Sequence, residues 1–161
     1  MSSMTGEPVT VRLAEEEDRL PMAHLFAAVA AEQDGIAAEL PVDVEKRAER
    51  WQLDRTLVAV VAGDIVGVIF VTESGFGLGE IAMFVAAGRR GHGVGTALVE
   101  AVIAWAKTRP LHKLTLGVFP HNEAAIGLYR KFGFVEEGRH PKHIRRADGE
   151  LWDLIDMGLL L

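Results

Sequence analysis

Cysteine is absent from this 161-residue chain, which excludes disulfides, thiolate metal ligands and a cysteine acyl-enzyme. Tyrosine occurs once, at position 129, so any role that calls for a phenol falls to that residue. No apolar run approaches the roughly 20 residues of a bilayer span. The polar stretch from Met1 to Pro8 lacks the basic and apolar regions of a signal peptide, so a cytoplasmic protein without membrane contact is expected. Positive charge is scarce, 17 Lys and Arg against 23 Asp and Glu, and a net charge of −6 argues against nucleic-acid binding. His140 and His143 hint at a metal motif, but no cysteine and no acidic residue in a ligand-like pattern accompanies them. No metal is expected.

What remains is enough for one domain over residues 1–161, with 49% hydrophobic residues for a core and residues 1–8 as a flexible tail. Charge divides unevenly: residues 1–80 carry 6 basic and 15 acidic side chains, residues 81–161 carry 11 and 8. An acidic first half would attract a cationic amine and a basic second half suits a polyanionic cofactor; ordinary solvated surface accounts for the split equally well.

The pattern alternates strands and helices without repeats. Strands are expected at 9–13, 57–62, 65–72, 80–85 and 113–119, with closing strands at 134–138 and 151–160 joined by a basic, flexible link. Helices are expected at 15–33, 42–53, 94–107 and 122–132, the first with Leu20, His24, Ala27, Ala28 and Ala31 near one face. Gly63-Asp64 suits a two-residue hairpin turn, and Asp148-Gly149 another. The expected fold is α/β, a mixed sheet with helices on both faces.

The most informative stretch is Arg89-Arg90-Gly91-His92-Gly93-Val94-Gly95-Thr96, between a strand and a helix. Glycines keep side chains away from backbone N–H groups, and the helix N-terminus that follows offers unpaired donors and a positive dipole end. Gly88 and Gly93 share the first spacing of a P-loop, but Val94 and Gly95 stand where its lysine and hydroxyl belong. G-x-G-x-G also departs from the dinucleotide fingerprint G-x-G-x-x-G. The spacing that fits is R-x-x-G-x-G, at Arg90, Gly93 and Gly95.

A second segment follows a strand in the expected order. Asn122, Ala125, Tyr129, Lys131, Gly133 and Phe134 give N-x-x-A-x-x-x-Y-x-K-x-G-F. Together the two segments closely resemble the GNAT superfamily of N-acetyltransferases, strongly over about residues 80 to 140. The tail from His140 to Asp153, with Asp148-Gly149 and Asp153 forming D-G-x-x-x-D, resembles the ending of many small bacterial members.

The resemblance implies a central, mostly antiparallel sheet and acetyl-coenzyme A as cosubstrate. It places the backbone of Phe84 and Val85 beside the pantetheine arm, and Arg90, Gly91, His92, Gly93, Val94, Gly95 and Thr96 around the pyrophosphate. Asn122 would approach the pantetheine or the adenosine side, or serve as a helix N-cap. Tyr129 would be the general acid for the departing thiolate, or a core aromatic in helical register with Ile126 and Phe132. Arg130 and Lys131 would meet the 3′-phosphate, or lie solvated. Glu80 would be the general base, or a strand-edge charge. Glu32 and Asp34 are weaker candidates for the acceptor pocket, and a homodimer fits the family. The expected activity is acetyl transfer to a primary amine of a small or amino-acid-like acceptor, by direct attack in a ternary complex. A protein N-terminus or lysine as acceptor, or a non-catalytic acyl-coenzyme A sensor, are the alternatives.

Overall fold

The computed structural model describes residues 7–161, so residues 1–6 of the expected tail lie outside the described residues. Among the described residues seven strands form one sheet: β1 Thr10–Leu13, β2 Thr56–Val61, β3 Asp64–Gly75, β4 Leu78–Val85, β5 Lys113–Val118, β6 Val135–Arg145 and β7 Leu151–Leu160. Their order is β1-β2-β3-β4-β5-β7-β6, and only the β4/β5 pair is parallel. Among the described residues four α-helices cover it: α1 Arg19–Ala30, α2 Val44–Glu49, α3 Val94–Ala106 and α4 Glu123–Lys131. No helix among the described residues is long and apolar enough to cross a membrane.

Strand alternation divides the core in two. On one face Ile69, Val71, Ile81, Leu114 and Leu116 pack with Leu98 and Val102 of α3 and Tyr129 of α4. On the other, Val58, Val68 and Phe84 meet Met22 and Val29 of α1 and Trp51 beyond α2. The sheet therefore separates a layer formed by α3 and α4 from one formed by α1 and α2.

Four expectations are corrected here. The first helix is shorter and turned: Glu16–Asp18 is a 3-10 turn, α1 stops at Ala30, and its buried side carries Met22, Ala23, Val29 and Ala30. Leu20 is 46% exposed, and His24, Ala28 and Ala31 also face outward. The helix is apolar around much of its circumference, so periodicity could not select the face; tertiary packing did. The expected second helix, 42–53, contracts to six residues followed by a 3-10 turn at Leu53–Arg55. The β2–β3 turn is Ala62-Gly63, both at positive φ, with Val61 paired to Asp64. The expected flexible link after Gly138 is instead strand: β6 continues to Arg145 through bulges, one fixed by the Lys142 N–H donating to Asp153 Oδ1 at 2.8 Å.

At the entry to α1, Asp18 is buried and caps the turn. It accepts from the Glu15 N–H at 2.7 Å and from both Arg12 Nη atoms at 2.7 and 3.2 Å. The Arg12 hydrogen bonds, with the Glu15 N–H, hold its carboxyl below the ordinary 3.8. The folded state thus binds fewer protons there than the unfolded chain, and the stabilisation is lost as pH falls through the depressed value. Asp18→Asn is expected to lower unfolding free energy by about 1–3 kcal/mol at neutral pH. The gap from wild type should shrink below about pH 4 in denaturant titrations.

Candidate active site

β4 and β5 pair through only three rungs, Leu78 with Lys113, Gly79 with Leu114 and Glu80 with Thr115. Beyond Glu80 the strands have no further rungs, and a gap opens in the sheet. On its β3 side the ladder continues: the Ala86 N–H donates to Val66 O at 2.8 Å and the register runs Gly67–Val85, Val68–Phe84. Antiparallel alternation then turns the backbone of Phe84 toward β3 and that of Met83 and Val85 toward the gap. Val85 O accepts there from Arg90 Nε at 3.1 Å. Of the two residues expected beside the cosubstrate arm, Val85 faces the gap; Phe84 gives its backbone to β3 and its ring to the core against Phe26. Met83, which the motifs did not single out, shares the orientation of Val85.

Beyond Val85 the chain makes a 3-10 turn at Ala87–Arg89 and reaches Gly93, the N-cap of α3, at φ +86°. No side chain caps this helix, which leaves the first-turn N–H groups without side-chain acceptors. Gly91 and Gly93 both hold positive φ, and a Cβ at either would meet nothing within 4 Å: the space in front of the helix is open. Gly95 is different. A Cβ there would stand 3.0 Å from Leu128 Cδ2, so this glycine lets α4 approach α3 and does not keep room for a phosphate. Val94 is buried, which leaves only its backbone for an anion, whereas His92 and Thr96 are exposed at the loop.

Arg90 is engaged by the protein itself. Its two Nη atoms donate to Glu32 at 2.6 and 3.0 Å, tying the glycine loop before α3 to the segment after α1. Asp34 pairs with His121 Nε2 at 2.9 Å. Neither Glu32 nor Asp34 lines the large cavity described below.

Asn122 is the N-cap of α4 and accepts from the Ala125 N–H at 3.3 Å. Gly127 faces open space, so no neighbouring strand requires it. Tyr129 lies 6% exposed in the α3/α4 layer, edge-on to Phe134 with centroids 5.6 Å apart. Burial pushes its phenol up to about 12. Arg130 and Lys131 are exposed in the last turn of α4. Of the basic tail residues, Arg146 packs over Trp152 at 4.4 Å and donates to Ile36 O at 3.2 Å, which ties the final hairpin to the segment after α1.

Glu80 marks the point where the sheet parts. It shares a face with Thr72, its β3 partner, and with Ala82, two residues along its own strand. Thr72 and Phe70 of that face line a cavity of about 590 Å³ beneath α1 and α2, together with Phe26, Arg47 and Trp51, while Glu80 itself lies outside the lining. Glu80 and Tyr129 therefore belong to opposite faces of the sheet. Sequence reasoning missed the cavity entirely; its one legible trace was the run Arg47 to Trp51 on a helix read only as polar.

A gap between splayed strands, leading to an uncapped helix N-terminus behind two positive-φ glycines, defines a site for an extended, phosphorylated cosubstrate. The profile of the acetyltransferase (GNAT) family matches residues 16–134, and the chain belongs to that family. It is an acetyl-CoA-dependent N-acetyltransferase, and the open cradle and free strand edge fit that cosubstrate. The chain is 33% identical over 135 residues to the L-methionine sulfoximine/L-methionine sulfone acetyltransferase of Pseudomonas aeruginosa, covering 76% of this chain and 77% of that one. A ribosomal-protein-alanine N-acetyltransferase from Brucella melitensis superposes with a TM-score of 0.87 at 28% identity, over 94% of this chain and 99% of that one. A phosphinothricin acetyltransferase from Sinorhizobium meliloti, solved with AcCoA, shares the fold at a TM-score of 0.84 and 19% identity, over 95% and 88% of the two chains.

Proposed function

We propose that this enzyme acetylates the primary amine of a small or amino-acid-like molecule seated in the cavity beneath α1 and α2, by direct attack in a ternary complex. The observation that carries this reading is the cavity itself. At about 590 Å³ it has the size of a small-molecule site, and Thr72 in its wall is the β3 partner of Glu80, the last residue before β4 and β5 separate. The relative named for methionine sulfoximine, a small amine, supports the same choice over a protein acceptor.

When bound, acetyl-CoA supplies an activated acetyl thioester. The backbone N–H groups of Gly93, Val94, Gly95 and Thr96 hold its pyrophosphate at the head of α3. Gly91 and His92 form the approach, and Arg90, braced by Glu32, fixes the loop against Val85 O. The free backbone of Met83 and Val85 pairs with the pantetheine arm and offers an N–H to the developing oxyanion. Asn122 orders the start of α4 near that arm, and Arg130 and Lys131 stand ready for the 3′-phosphate. Glu80 takes the amine's proton from the cavity side, directly or through water. Tyr129 donates toward the departing sulfur from the opposite side.

Thiol release from acetyl-CoA against a panel of amines, amino acids, polyamines, aminoglycosides and peptides tests the reading. The chain has no cysteine, so every thiol detected comes from the cosubstrate. Turnover with a small amine above the no-acceptor rate is the expected result. Turnover confined to peptides would move the acceptor to protein, and cosubstrate binding without any turnover would favour the sensor. Glu80→Gln is expected to lower kcat/KM about 10- to 100-fold near neutral pH, with the loss narrowing at high pH as the free amine becomes more abundant. An unchanged pH–rate profile would remove Glu80 from the base role.

A further inference from the structure

Arg47 is the unusual residue of this cavity. Its Cζ lies 4.4 Å from the Phe26 ring centroid, 4.1 Å from Trp51 and 5.6 Å from Phe70, so three aromatic rings hold the guanidinium in place. Guanidinium over aromatic faces is favourable, yet it satisfies none of the group's five N–H donors. The charges acting on Arg47 include no acid; burial and the neighbouring Arg50 both weigh against its proton. By contrast, Arg55 in the same wall has Glu73 at 3.2 Å, and Asp43 is occupied in capping α2. Trp51, which lines the same cavity, also keeps its Nε1 buried without a hydrogen-bond partner. Half-buried cations and buried donors without acceptors are costly unless something else supplies those acceptors.

We infer that Arg47 is the specificity residue of the acceptor cavity, binding a carboxylate carried by the acceptor at the end remote from its amine. This rests on the cavity being the acceptor site, as proposed above. A planar carboxylate matches the guanidinium fork in a way that a point charge does not. The spacing excludes the carboxylate of a simple α-amino acid as the only contact. Phe70, under the guanidinium, and Glu80 are one strand and two residues apart, on the order of 8 Å across the sheet. An amine at Glu80 and an anion at Arg47 are therefore separated by several bonds. ω-Amino carboxylates and α-amino acids with acidic side chains have that span.

The test compares kcat/KM for a length series of ω-amino carboxylates with that for n-alkylamines of matched length, in wild type, Arg47→Met and Arg47→Lys. Wild type should favour a carboxylate acceptor of intermediate length about 10- to 100-fold, mostly through KM. Arg47→Met keeps an unbranched apolar stem against the rings and should bring that ratio close to one. Arg47→Lys keeps the charge without the fork and should retain only part of it, which decides the matter should the Met variant not fold. Equal use of both acceptor types by wild type, or a preference that survives Arg47→Met, overturns the inference while leaving amine acetylation intact. Absence of all turnover would instead sink the proposed function. Glutarate titration of tryptophan fluorescence then decides the subsite alone: saturable binding lost in Arg47→Met supports it, and no response overturns it.

Discussion

Tyr129→Phe is expected to lower kcat about 100-fold while leaving the KM for acetyl-CoA and the unfolding midpoint close to wild type. The ring is what the fold uses: it is buried beside Phe134 in the α3/α4 layer, and phenylalanine retains that packing. The hydroxyl is what the proposed reaction uses. Burial raises its pKa to about 12, so the phenol stays protonated through the working pH range and holds its proton for a leaving thiolate. The wild-type profile should therefore show no descending limb from this group below about pH 11. Steady-state kinetics from pH 6 to 10, with thermal melts, check both statements. A variant with wild-type kcat would reduce Tyr129 to a core aromatic. A loss of stability that matched the loss of activity would assign the effect to packing.

Gly93→Ala should act on the other substrate. The expected outcome is a rise in KM for acetyl-CoA of about 10- to 100-fold, accompanied by a smaller fall in stability. Two costs combine there. A side chain at φ +86° adopts a conformation that costs roughly 1–2 kcal/mol for an L-residue, and the added methyl occupies the open space before the α3 N-terminus. Calorimetry with coenzyme A reads the effect without requiring turnover. Gly95→Ala provides the contrast, since its Cβ would press on Leu128 inside the protein. That variant should show its main effect in the thermal midpoint. The reverse pattern, with Gly93→Ala binding normally, would mean that the pyrophosphate is held elsewhere.

The sequence by itself determined the elements that chemistry forces to be local. A helix N-terminus behind glycines and an asparagine N-cap are written in adjacent residues, so the glycine loop before α3 and the start of α4 could be read directly. The family motifs extended that reading to Tyr129 and to the order of strands. Glu80 was legible only as a carboxylate on a strand. Its position at the last rung before the gap depends on pairing with Thr115, which lies 35 residues away. The buried side of α1 could not be read because the helix is apolar on more than one side. The β6 extension was hidden by its charged, bulged edge, whose partners belong to β7.

Only the tertiary structure decided what surrounds the cavity. Glu32 and Asp34 looked like free carboxylates near a pocket, and folding gave them to Arg90 and His121. Arg47 looked like one charge among several on a polar helix, and folding left it over three rings contributed by α1, β3 and the residue just past α2. The physical reason is the same in each case. Anion cradles and caps rest on backbone geometry over a few consecutive residues, whereas ion pairing and pocket shape depend on side chains brought together from distant elements.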